Sequence, residues 1–150
     1  MVNQNLIDKL KGWRENPPDR ESVDEKFGEE FLNTLFSIFK QLSEEDEDLK
    51  EAVEDANICM QFVMIWESKE FKFWISAREG KIDFGVGEGL DVTVTMKATA
   101  EKMFTILTGE AEATSAYMSG ELTIEGNLQD AMAFGEISSV AADLIEELMD

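Results

Sequence analysis

Histidine is absent from this 150-residue chain, and cysteine occurs once, as Cys59. Without histidine, a Ser–His or Cys–His catalytic pair cannot be assembled. The usual zinc ligand sets cannot be built within one chain either, so no catalytic residue, metal ligand or cofactor site is assigned. A lone cysteine forms no internal disulfide, which permits a reducing compartment. Basic residues are scarce: 13 Lys and Arg stand against 33 Asp and Glu, a formal net charge of −20. Small domains usually carry a net charge of about 2–8 in magnitude. The Lys/Arg clusters that release counterions from nucleic acid are missing, so nucleic acid is excluded as a partner. Adsorption to anionic headgroups, which relies on basic patches, is disfavoured as well. The acidity reads as a solubility device. Long apolar runs are also missing. The longest, Phe62-Val63-Met64-Ile65-Trp66, is far too short to span a bilayer. Met1-Val2-Asn3-Gln4-Asn5 lacks the charged-then-apolar layout of a signal peptide. A cytoplasmic protein without stable membrane insertion is expected.

What is present is a large, soft apolar set. Hydrophobic residues make up 43% of the chain, with ten Phe and eight Met against one Tyr. That is enough for one globular domain with a sizeable core. Met adapts to irregular gaps, which suits both an ordinary core and one that closes around a ligand.

Leu6, Leu10 and Trp13 recur at helical spacing, and Pro17-Pro18 ends that helix and opens a polar linker. Ser22 with Glu25 forms a capping-box pattern, after which Val23, Phe27, Phe31, Leu35, Ile38 and Leu42 form a helical stripe. Ser43 with Asp46 predicts a further cap, leading Leu49, Ala52, Val53 and Ala56 along a third helix. Beyond Asn57 the period changes to two. Ile58 to Trp66, Phe71 to Ala77, Ile82 to Val86, and Val92 to Met96 each alternate apolar with mostly polar residues. The short turns between these sets predict an antiparallel meander with one buried face. Thr99 is placed to cap a helix carrying Met103, Phe104 and Leu107, which Gly109 would stop. A short helical piece over 111–118 reaches Gly120, Leu122 and Ile124 mark a last strand, and Asn127 caps a final helix. Leu128, Met132, Gly135, Val140, Leu144 and Leu148 are its expected apolar stripe.

Two sharper motifs fail their context tests. Gly85-x-Gly87-x-Gly89 lies between alternating strands instead of opening a helix, so it is not a phosphate loop. A calcium loop starting at Asp46 would need glycine near position 51, where Glu51 stands. Cys59 reads as a half-buried strand thiol.

The ordered set Asp91-Val92-Thr93-Val94-Thr95-Met96, a helix ending at Gly109, and Ala116-Tyr117-Met118-Ser119-Gly120-Glu121-Leu122-Thr123-Ile124-Glu125-Gly126-Asn127 before a last helix resembles the sterol carrier protein domain family. The resemblance covers residues 26–150, with residues 1–25 as an N-terminal helical extension and linker. It implies an α+β domain: a five-stranded, mainly antiparallel sheet with helices packed on one face. An apolar tunnel for a fatty acid, sterol-like molecule or other neutral lipid would lie between sheet and helices. Carried over, the ligand-facing residues are Tyr117 and Met118, Leu122 and Ile124, and Met103, Phe104 and Leu107. The strands and last helix add Phe62, Phe73, Phe84, Val94 and Met132 as expected lining of a pocket of about 300–1,000 Å³. Lysines common in the family near these glycines are replaced by Glu110, Glu121 and Thr123, which disfavours acyl-CoA. The chain closes on Glu147-Leu148-Met149-Asp150 without a peroxisomal address. The expected role is non-catalytic carriage of a hydrophobic ligand. The alternative is an interaction module of the same fold with a filled core, acting as a homodimer or accessory subunit.

Overall fold

Alternation from Ile58 onward does produce a sheet, but its strands are not in chain order. The computed structural model describes residues 2–16, 25–107 and 111–150. Five strands, β1 (Ile58–Trp66), β2 (Lys69–Arg78), β3 (Lys81–Val86), β4 (Val94–Thr99) and β5 (Thr123–Gly126), form one sheet of order β3-β2-β1-β4-β5. Three pairings are antiparallel, and β1 with β4 is parallel. Register places Phe62 opposite Phe73 and beside Met96, and Phe73 opposite Val86. Ile58, Met60, Phe62, Met64, Phe71, Phe73, Ile75, Ile82, Val94 and Met96 therefore share one face, and all are buried.

The helices cover that face. They are α1 (Gln4–Glu15), α2 (Glu25–Glu45), α3 (Glu47–Glu54), α4 (Ala100–Leu107), α5 (Ala113–Ser119) and α6 (Leu128–Met149). Helix α2 buries Phe31, Leu32, Leu35, Phe36, Ile38, Phe39 and Leu42. Helix α1 buries Ile7 and Leu10, and Trp13 meets Phe27 and Phe31 edge-on or tilted at 5.4 and 5.7 Å between ring centroids. Pro17-Pro18, Ser22, Val23, the side chain of Glu25, Gly109 and Glu110 lie outside the described residues.

Three details differ from the sequence reading. Asp46, not Ser43, caps α3, its carboxylate accepting from Leu49 N at 3.0 Å. Ser43 lies inside α2, where its hydroxyl donates to Lys40 O at 2.7 Å. In α6 the buried stripe is Ala131, Phe134, Ile137, Ala141 and Ile145. Leu128, Met132 and Leu148, the bulkier residues expected there, are exposed. Helix rotation is set where α6 leaves the sheet: Asn127 N donates to Thr93 O at 3.0 Å while its side chain accepts from Gln129 N and Asp130 N. Finally, β4 crosses to the far side of β1 instead of extending a meander beside β3, and Val92 stays outside the strand.

The stagger of the strands makes this short crossover feasible. Val86 lies level with Phe62, and Val94 level with Met60, so the chain steps back only two residues along the strand direction. Crossing three strand spacings takes about 14 Å. The connection over residues 87–93, at ~3.3 Å per residue, reaches well beyond that. It runs over the sheet's outer face and is fastened there. Gln61 Nε2 donates to Phe73 O at 3.1 Å and Gly87 O at 2.9 Å, and its Oε1 accepts from Gly89 N at 2.8 Å. Arg78 donates to the carbonyls of Leu90 and Asp91. A β-carbon at Gly89 would stand 2.8 Å from Cys59 Sγ, so only glycine lets the backbone lie this close. The connection buries Cys59, and that burial raises its thiol pKa, with Arg78 lowering and Asp91 raising it to smaller extents.

Candidate functional site

Ligand-sized apolar space, if the chain has it, belongs between the inner sheet face and the helices. This layer holds one connected set of aromatic rings. At one end Phe104 of α4 meets Phe27, Phe31 and Trp66 at 5.7, 5.1 and 6.1 Å between centroids. Trp66 meets Phe71 at 5.7 Å, Phe71 meets Phe73 at 6.4 Å, and Phe73 meets Phe36 and Phe84 at 5.7 and 6.3 Å. Phe36 then reaches Phe62 at 6.0 Å, and Phe62 reaches Phe134 of α6 at 5.8 Å. Edge-to-face and offset contacts of this kind add about 0.5–1.5 kcal/mol per pair beyond area burial.

The residues proposed from sequence divide into three groups. Phe62, Phe73, Val94, Met103 and Leu122 are buried in the layer, and Phe84, Phe104, Leu107 and Ile124 are half-buried at its margins. Tyr117, Met118 and Met132 are 44%, 81% and 71% exposed and stand on the outer surface. In α5 the inward residue is Ala116, whose carbonyl accepts from both Glu121 N and Leu122 N. That turn commits the neighbouring Tyr117 and Met118 to the outside. Sequence reading passed over Trp66, Phe71, Phe36 and Phe134 as site residues, because alternation and helical stripes mark inward residues without saying which rings meet.

Two surface grooves flank the layer. One of about 370 Å³ lies between α2 and β3, with Lys40, Gln41, Glu44, Asp83 and Phe84 on its walls. The other, of about 500 Å³, runs along α1 and α2 past Leu6, Lys9, Lys26 and Glu30. Phe84 is the single inner-face strand residue on either wall, and most of the other lining residues carry polar or charged ends. Among the described residues the layer between sheet and helices is lined by rings in mutual contact, so an apolar ligand held there would rest against these side chains.

Two buried polar atoms in the described residues have no hydrogen-bond partner, Trp66 Nε1 and Ser138 Oγ. Trp66 lies against the backbone of α2 because position 28 is glycine: a β-carbon there would stand 2.5 Å from Cη2 of the indole. Near β5, Lys102 pairs with Glu121 at 2.9 Å, and Lys97 pairs with Glu70 at 3.5 Å. Hydrogen bonds from Lys102 and Ser119 hold the Glu121 carboxyl below the ordinary carboxylate range. Among the described residues no cluster of Cys, Asp and Glu is placed to hold a metal ion, and no helix is long and apolar enough to cross a membrane.

The profile of the SCP-2 sterol transfer family matches residues 39–139. Among solved structures, apo sterol carrier protein 2 from Yarrowia lipolytica aligns at 19% identity and TM-score 0.60, over 73% of this chain and 90% of that one. Sterol carrier protein domain 2 of Helicoverpa armigera aligns at 21% identity and TM-score 0.60, over 84% and 94%. The ubiquinone synthesis protein UbiJ-SCP2 aligns at 19% identity and TM-score 0.54, over 75% and 86%. At these identities the structures speak for the fold alone. No curated protein sequence matches the chain.

Proposed function

Since the chain belongs to the SCP-2 sterol transfer family, we propose that it binds a hydrophobic small molecule or lipid between sheet and helices and carries it without chemical change. The observation that carries this reading is the family match over residues 39–139. The apolar layer supports it: the unbranched side chains of Met60, Met64, Met96 and Met103 can adapt around an inserted chain. The preferred cargo is a neutral or weakly polar lipid, and the working compartment is the cytoplasm. Native mass spectrometry of protein purified from its own host tests the reading, together with lipid transfer between zwitterionic vesicles. A one-to-one lipid adduct and protein-dependent transfer are expected. Their joint absence would overturn it.

A second reading is an interaction module with a filled core, working as a homodimer. The ring contacts that occupy the layer favour it. A lipid-free dimer in the same mass spectra would decide for it.

A further inference from the structure

We propose that Trp66 orients the bound ligand, its indole N–H donating to a neutral acceptor at the polar end of an otherwise apolar molecule. The acceptor class is a ketone or ester carbonyl, or a hydroxyl. The inference rests on the lipid-binding reading above and deepens it.

The starting observation is the orphaned donor. Trp66 Nε1 is buried without any hydrogen-bond partner, although an indole has one donor and no acceptor and so needs only a single partner. Native interiors rarely leave such a donor unmatched, because the group has lost water and gained nothing. The second observation is the seat. Gly28 lets the ring lie directly on the α2 backbone, and Phe71 and Phe104 pack on it at 5.7 and 6.1 Å. The donor is therefore held in place before a ligand arrives, which lowers the ordering cost of recognition.

Position adds direction. Trp66 is the last residue of β1, and Phe27 and Phe104 beside it are only half-buried, so this end of the layer reaches the surface. A ligand entering there would place its chain along Phe27, Phe31 and Phe104 and its acceptor at Nε1. The neighbourhood selects a neutral acceptor. The packed rings carry no charge, and Lys69, paired with Trp66 in the β1–β2 register, is exposed and keeps its ammonium in water. An ionised carboxylate would surrender its hydration for one hydrogen bond, which does not compensate it.

Displacement of Nile red from the full chain by 2-tridecanone and by tridecane tests this, since the two probes differ in little but the carbonyl. The wild-type protein should prefer the ketone by roughly tenfold, the worth of one well-made hydrogen bond to a buried donor. Trp66→Phe should abolish that preference, so that the ketone then binds no better than tridecane. In proton–nitrogen NMR spectra, three indole N–H signals are available, from Trp13, Trp66 and Trp74. The Trp66 signal should move with the ketone and not with the alkane. Should Trp66→Phe fail to fold, Trp13→Phe and Trp74→Phe assign that signal by elimination. Equal affinity for both probes, equal weakening of both by Trp66→Phe, or an unmoved indole signal overturns the proposal while lipid binding stands. Failure of both probes to displace Nile red from wild-type protein overturns the proposal, and the lipid-adduct and transfer measurements then decide the lipid-binding reading by themselves.

Discussion

Gln61 places an amide in the middle of β1, on the outer face, where alternation alone would leave any polar residue in water. It is instead 6% exposed, with its amide nitrogen and oxygen both bonded to the backbone. Its donors satisfy carbonyls of β2 and of the β3–β4 connection, and its oxygen takes the Gly89 N–H. Removing the amide strands the buried Phe73 carbonyl and the part-buried groups of Gly87 and Gly89, and an unsatisfied buried group costs about 1–3 kcal/mol. Gln61→Leu, which keeps the bulk, should lower stability by about 2–3 kcal/mol, read from the urea midpoint. Faster amide exchange at Gly89 should accompany it. An unchanged midpoint would mean that Arg78 alone holds the connection.

At the scale of elements, the junction between β5 and α6 carries the most consequence. Asn127 joins three parts at once: its backbone N–H continues the β4–β5 region through Thr93, and its side chain caps α6 at Gln129 N, 2.9 Å, and Asp130 N, 3.3 Å. Cap removal typically costs about 1 kcal/mol, whereas glycine at the same position costs only a few tenths. Asn127→Ala should therefore lower the urea midpoint clearly more than Asn127→Gly. The reverse order would show that the cap contributes less than the backbone conformation. The same junction explains the α6 stripe. The choice of Met132 over Ala131 as an inward residue followed side-chain size, while the cap set the helix rotation and turned Phe134 onto Phe62.

For the molecule as a whole, charge dominates. A net charge of −20 surrounds an apolar interior, and Lys97 and Lys102, the cations closest to the motif glycines in sequence, are each tied to a carboxylate. Each would have to leave that carboxylate to receive a phosphate. A fatty acyl methyl ester should therefore outcompete acyl-CoA of the same chain length for a fluorescent lipid probe. Added salt should narrow the gap, because screening shortens the reach of the field to about 8 Å at physiological ionic strength. Tight acyl-CoA binding at low salt would contradict the argument and show that these lysines leave their partners for the ligand.

The chain by itself determined which residues share a face within each element. Period-two alternation identified the inward residues from Ile58 to Ile75, and side-chain chemistry placed the caps at Thr99 and Asn127, because both effects are local. The ordered motifs around Gly120 and Gly126 also carried the family. Only the tertiary structure decided what those faces meet. Strand order depended on the stagger between β3 and β4, a relation through β2 and β1 that no window of sequence contains. The exposure of Tyr117, Met118 and Met132 followed from the turns after α5 and before α6, which aim neighbouring residues to opposite sides. The orphaned indole of Trp66 was likewise invisible in sequence, since it arises where Gly28 of one helix, Phe104 of another and two strands converge. Periodicity reports direction within an element, and a site is a convergence between elements.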